Sequence, residues 1–169
     1  PGAGDVTALL GPTIMGPAAM APRLGGLLMP VPMTLGEASR ASLLRAVLEG
    51  VAFAIRGNLE QAAAVAGSRC ERVTLGGGLS HAPLFAQTLA DVLDRPVDVA
   101  LTGDAAAVGA AICAAVGAGA FPSFAAARPM MAALRAVSPH PAASATYADH
   151  YRRWLDLDRA LTELAGRLR

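Results

Sequence analysis

Residues 73–94 read VTLGGGLSHAPLFAQTLADVLD, and the three glycines at 76–78 constrain the fold more than any other stretch of the chain. An apolar run precedes them and a helical pattern follows. The backbone must leave a strand, turn on three residues without Cβ, and enter a helix. The pattern predicts a strand over Arg72–Leu75 and a helix from Ala82 to Leu93, with Pro83 in its first turn and Ser80 as its candidate cap. Leu84, Phe85, Thr88, Leu89 and Val92 give that helix one apolar face.

Two phosphate-binding templates fail at this turn. The dinucleotide fingerprint GxGxxG needs glycine at its sixth position, where His81 stands. A P-loop needs Gly-Lys-Ser/Thr, and the 169 residues contain no lysine. The same absence removes Schiff-base and lysine general-base chemistry. A ligand can still be held without those motifs. Missing side chains let a flat ring or a sugar approach the backbone, and N–H groups of the first helical turn can meet polar atoms. Ligands of open α/β sheets bind outside the carboxyl ends of the strands. On spacing alone, a ligand-free bend is the better reading.

The flanking chain extends the pattern. Residues 1–36 hold six of the twelve prolines and four of the six methionines. They predict an irregular, apolar segment packed on the core, with short strands near Val6–Leu10 and Gly26–Val31. Thr34 and Glu37 form a candidate capping box for a helix running to about Ala66. Leu44, Val47, Leu48, Val51, Ile55 and Leu59 make its apolar stripe. Gly50 and Gly57 weaken it by about 1 kcal/mol each relative to alanine, and their small size allows close packing. A second strand is expected over Pro96–Leu101, then an Ala/Gly helix after Thr102-Gly103-Asp104, ending near Gly117. A short helix within Ser123–Met131, a connector over 134–145 and a last amphipathic helix over 146–169 complete the chain. The core is then 37–133. Helix–strand–helix–strand–helix order argues for an α/β layer with parallel neighbouring strands.

Composition excludes several functions. With 54% hydrophobic and 16% charged residues, the chain folds around a core. A net charge of +1 with dispersed arginines leaves no electrostatic footprint for nucleic acid or an anionic membrane. Cys70 and Cys113 have no CxxC spacing, which fits a reducing cytoplasm, and Cys113 reads as a small buried hydrophobe. His81, His140 and His150 have no metal-ligand spacing. No charged n-region precedes an apolar run, so no signal peptide is expected. Residues 105–121 are mostly Ala and Gly and read as a buried helix rather than a membrane span.

The stretch GGGLSHAPLFAQTLADVLDRPV resembles the adenosine-binding motif of the FGGY carbohydrate kinases. Three further stretches match in the same order. LLRAVLEGVAFAIRGNLE resembles the long helix before that motif, GDAAAVGAAICAAVGAGAF the Ala/Gly helix after it, and YADHYRRWLDL the C-terminal tyrosine-rich helix. Xylulose kinases and their unassigned relatives look nearest. Four motifs in order turn the glycines from a plain bend into the expected adenosine wall.

The resemblance implies a partial actin-like, ribonuclease H-like α/β fold, the C-terminal portion of a two-domain kinase. It implies ATP-dependent phosphorylation of a sugar or polyol, D-xylulose to xylulose 5-phosphate first, with Mg²⁺ on the ATP phosphates of the intact enzyme. Glycerol, gluconate and ribulose are the alternative substrates. Gly76, Gly77 and Gly78 match the glycine turn, and Ser80 and His81 stand where the family has polar residues near the nucleotide. No residue matches the catalytic base, which belongs to the other domain; Asp5, Asp91, Asp98 and Asp104 are not candidates. Gln87 and Glu49 are expected in structural roles, and Asp104 as a helix cap. The segment alone is expected to be inactive, to contact the sugar only through the missing domain, and to leave room for a homodimer. A degenerate, non-catalytic actin-like module is the competing reading. Gly16-Pro17-Ala18-Ala19-Met20 supports it, because many members carry a Gly-Glu-Arg-like segment there.

Overall fold

The computed structural model describes residues 2–10, 24–29, 39–102, 104–131 and 133–167. In chain order the elements are β1 (Thr7–Leu9), β2 (Gly26–Leu28), α1 (Arg40–Ala66), β3 (Val73–Leu75), α2 (Pro83–Leu93), β4 (Val97–Ala100), α3 (Ala105–Gly117), β5 (Leu134–Val137) and α4 (Pro141–Arg167). Strands β1 and β2 pair antiparallel, with Ala8 opposite Leu27. The other sheet has the order β3-β4-β5. Its β3 and β4 run parallel, Thr74 opposite Asp98, and β5 lies antiparallel to β4.

The long helix is entered by Ser39, whose side chain accepts from the Ser42 N–H. The expected cap at Thr34 and Glu37 lies outside the described residues. Gly67 closes α1 in the left-handed region, at φ 64°. Gly50 is needed for packing. A Cβ there would lie 2.5 Å from the Ala8 carbonyl oxygen, so α1 meets β1 backbone to backbone.

The core gathers Phe53 of α1, Phe85 and Leu89 of α2, Val97 and Val99 of β4, and Tyr147, Tyr151 and Trp154 of α4. The last three recur at helical spacing and give α4 one buried stripe. Glu49 is buried as a structural acceptor, as expected, and takes hydrogen bonds from Ala3 N, Arg45 Nε and the Tyr147 hydroxyl. Gln87 donates to Asp91 Oδ1 and to the Ser138 carbonyl, and Asp91 accepts from His140 N at 2.7 Å. These bonds tie α2 to the start of α4.

Several expectations are corrected. Residues 134–145 are not a connector: Leu134–Val137 form β5, and Pro141 opens α4. The strand escapes a periodicity reading because only Val137 of its four residues is buried. The segment Ser123–Met131 holds turns and a short 3₁₀ helix at Arg128–Met130. Leu84 is exposed, since the buried face of α2 is carried by Phe85, Thr88, Leu89 and Val92. Helix α3 has no buried residue, and Cys113 is exposed. Its residues favour burial, but no described element covers its outer face.

Burial pushes up the pKa of Tyr147, with the Arg45 hydrogen bond opposing. Burial first, and the hydrogen bond to Glu60 second, push up that of Tyr151. The folded chain therefore holds both protons more tightly than the unfolded chain, whose tyrosines titrate near 10.0. Stability is expected to be unaffected by these groups below that pH and to fall as pH rises above it. Tyrosinate absorbance should appear together with the loss of helical circular dichroism. Tyrosinate forming fully in a still-folded chain would contradict this.

Candidate functional site

The glycine turn leaves the carboxyl end of β3. Gly76 comes first, and a Cβ on it would lie 3.3 Å from the Ala105 methyl and 4.0 Å from the Ala100 methyl. Gly77 has φ 82° and ψ −166°, a region open essentially to glycine alone. Gly78 begins a 3₁₀ turn, Gly78–His81, and nothing lies within 4 Å of where its Cβ would stand. The three glycines thus serve different ends. Gly76 permits close approach to α3, Gly77 permits the turn, and Gly78 leaves an open surface.

Ser80 is not the cap of α2. The residue before the helix is Ala82, which makes no side-chain cap bond, and the next residue, Pro83, needs no partner for a backbone N–H. Ser80 is buried, and both its N–H and its hydroxyl donate to the Gly77 carbonyl, at 3.0 and 2.7 Å. It therefore holds the turn closed from inside. His81 is exposed at the end of the same turn. Asp104 caps α3 as expected, its Oδ1 accepting from Ala107 N at 2.9 Å.

A cleft of about 190 Å³ opens where the turn meets the sheet. Thr74, Gly76, Ala100 and Thr102 line its sheet side, and Ala105 and Gly109 are among the residues lining it from α3. Alternation along the strands puts this set on the sheet face opposite Val97 and Val99, which point into the core. No charged side chain is among those lining the cleft, and the polar side chains among them are those of Thr74 and Thr102. The glycine motif alone does not point to these walls. Ala105 and Gly109, four apart on α3, are the trace the sequence carries of them.

A larger groove, about 480 Å³, opens between the C-terminal ends of α1 and α2. It lies at the amino end of β3 and β4, away from the end where such sheets bind ligands. Arg56 and Arg95 there donate to the backbone carbonyls of Val92, Leu93 and Cys70, so they brace the walls. The glycine cleft is smaller, yet it lies at the carboxyl ends of β3 and β4, the end at which open α/β sheets bind ligands.

Among the described residues, no group of three or more His, Cys, Asp or Glu could hold a metal ion. No described helix is long and apolar enough to cross a membrane.

Known proteins resemble this chain in sequence or in fold. An autoinducer-2 kinase of Salmonella paratyphi A is 34% identical over 119 residues, which is 70% of this chain and 22% of that protein. A xylulose kinase of Brucella ovis superposes with a TM-score of 0.75 at 32% identity, over 97% of this chain and 33% of its own. A Plasmodium falciparum glycerol kinase solved with ADP shares the fold, with a TM-score of 0.70 at 14% identity over 93% of this chain and 31% of its own. This chain thus spans about a fifth to a third of the length of these relatives. Its residues 15–118 match the C-terminal domain of the FGGY carbohydrate kinases, and with the glycine turn, the Ala/Gly helix and the actin-like layer in place, the chain belongs to that family.

Proposed function

We propose that this chain is the adenosine-binding part of an ATP-dependent sugar kinase, with Gly76, Gly77 and Gly78 as the wall on which adenosine lies. The observation that carries this reading is the uncharged cleft joined to the glycine turn at the carboxyl ends of β3 and β4. A neutral cleft suits base and ribose. Phosphates would call for cations, and the cleft has none. Ser80 keeps the turn closed, and exposed His81 is the polar contact at its end.

In this reading the chain positions and does not perform the chemistry. Holding adenosine fixes where the γ-phosphoryl points once the sugar-bearing domain closes, and orientation of that kind supplies much of phosphoryl-transfer catalysis. The base that takes the hydroxyl proton lies outside residues 1–169. Among the described residues no cluster of three or more His, Cys, Asp or Glu could hold Mg²⁺; in the intact enzyme the ion would ride on the ATP phosphates and supply charge neutralisation there. The acceptor is D-xylulose, giving xylulose 5-phosphate, on the support of the Brucella ovis likeness. The 34% identity to an autoinducer-2 kinase favours autoinducer-2 as the second acceptor to assay.

Residues 1–169 alone are expected to bind ATP weakly and to turn over no sugar. Gly78→Val places a side chain on the open surface without a positive-φ penalty and should weaken ATP by about tenfold or more, about 1.4 kcal/mol. Isothermal titration of both proteins, with circular dichroism as the folding control, measures this. Equal ATP affinity in the two, or sugar-dependent ATP consumption by residues 1–169, would sink the proposal. An intact kinase containing this chain, assayed with both acceptors, decides between the sugars.

A further inference from the structure

The groove between the C-terminal ends of α1 and α2 is large enough to hold a whole small molecule. Its volume, about 480 Å³, falls within the range of about 300–1,000 Å³ for ligand pockets. Arg56, Leu59, Glu60, Ala63 and Gly67 line it from α1 and its cap. Their steps of three and four residues make one stripe, about 16 Å long at 1.5 Å per residue. Leu59, Ala63 and Leu93 make the lining apolar along its middle. The cations among the lining residues are Arg56, Arg69 and Arg95, against one carboxylate, Glu60. Each of the two helix ends adds about half a negative charge, which leaves an excess of about one positive charge.

That carboxylate is already engaged. Its Oε1 accepts from Arg56 Nε at 3.0 Å, and its Oε2 from the Tyr151 hydroxyl at 2.9 Å. Arg95 is fixed at the other end of the groove. Its Nε donates to the Leu93 carbonyl at 3.3 Å and its Nη1 to the Cys70 carbonyl, while its Nη2 has no partner among the described residues. Arg69 precedes Cys70 on the same loop, is exposed, and has no partner among the described residues. A held guanidinium with a nitrogen to spare and a second one beside its anchor are suited to a planar anion.

We infer that this groove is a second ligand site, for an organic anion: a phosphate or carboxylate at Arg69 and Arg95, carried on an apolar body that lies along Leu59, Ala63 and Leu93. The loop with Arg69 enters β3 at its amino end, and the glycine turn leaves the carboxyl end. The two sites therefore do not compete for space, and the inference does not depend on the adenosine reading.

Protein-observed NMR titration of the full chain with phenyl phosphate, benzoate, inorganic phosphate and benzyl alcohol tests this. Phenyl phosphate and benzoate should shift the amides of Ser68, Arg69, Cys70 and Arg95 saturably, and the tighter of the two identifies the anion. Inorganic phosphate lacks the apolar body and benzyl alcohol lacks the charge, so each should bind about tenfold more weakly or worse. Arg69→Ala removes no bond of the fold, so circular dichroism should be unchanged. It should weaken the aromatic anions by about fivefold, the scale of a favourable exposed ion pair, and leave benzyl alcohol unaffected. Arg69→Lys keeps the charge and should restore part of the loss. Benzyl alcohol binding as tightly as the aromatic anions would show an apolar groove without an anion site. Anion affinity unchanged in Arg69→Ala, no saturable shift at these amides, or shifts at Gly76–Gly78 in their place would overturn the site as well. ATP binding at the glycine turn is read at other amides, so each of these results leaves that reading standing.

Discussion

Truncating Glu49 to alanine is expected to cost about 3–5 kcal/mol, the scale for removing one partner of a buried, hydrogen-bonded charge pair. The carboxylate is 5% exposed and joins three segments. Its Oε2 accepts from Ala3 N at 3.2 Å, and its Oε1 accepts from Arg45 Nε at 3.0 Å and from the Tyr147 hydroxyl at 2.8 Å. Arg45 Nη2 also donates to that hydroxyl, at 2.9 Å. Alanine leaves the Tyr147 O–H and the Ala3 N–H without an acceptor, at about 1–3 kcal/mol each. The Arg45 side chain is 30% exposed and can turn to water, which holds the total near the lower end of the range. Glu49→Gln keeps one acceptor oxygen and loses the charge, so it should cost less than alanine. Urea unfolding reads the difference as a lower midpoint at unchanged slope. An alanine variant within about 1 kcal/mol of the parent would show that the network contributes little, because native chains carry only about 5–15 kcal/mol in total.

The sequence carried the central unit of the fold, and the structure shows why. Helix α1, strand β3, helix α2 and strand β4 announce themselves by local periodicity and by glycine or proline at their ends: Gly67 after α1, Pro83 at the start of α2, Asp94 left-handed after it. Glu49, Gln87 and Asp104 have the structural partners expected of them, because each sits on a helix whose position the pattern had fixed. Strand β5 was not legible. It is an edge strand with one buried residue, and its place is set by pairing with β4, not by its own pattern. The exposure of α3 was equally hidden. Hydropathy records that its residues favour burial, while cover depends on partners that the described residues do not include. The cleft was half legible. The glycine turn is a local motif, but Thr74, Thr102 and Gly109 meet only through the parallel pairing of β3 with β4 and the packing of α3 beside them.

Trp154→Ala is expected to have an effect as large as that of Glu49→Ala, about 3–5 kcal/mol for a fully buried tryptophan. The indole is 2% exposed. It stacks on Tyr151 at 6.3 Å between ring centroids and lies 6.1 Å from Phe53. Its Nε1–H donates to the Ala8 carbonyl at 3.0 Å. That same carbonyl stands over Gly50, so β1, α1 and α4 converge on one backbone oxygen. Trp154→Phe keeps much of the ring contact and removes the donor, and should cost less, about 1–3 kcal/mol. Unfolding by urea gives the totals, and amide exchange locates the loss. If the indole docks β1, Thr7–Leu9 should lose protection further than the α2 core in the Trp154→Phe protein. A uniform loss would mean that the ring contributes bulk only. Glu49 holds the same segment through Ala3 N, five residues before Ala8. Once either anchor is cut, part of what the other holds is already released. The Glu49→Ala/Trp154→Ala double variant should therefore lose less stability than the two single losses added together. Strict additivity would show that the two anchors act on separate units, which their shared hold on residues 3–8 argues against.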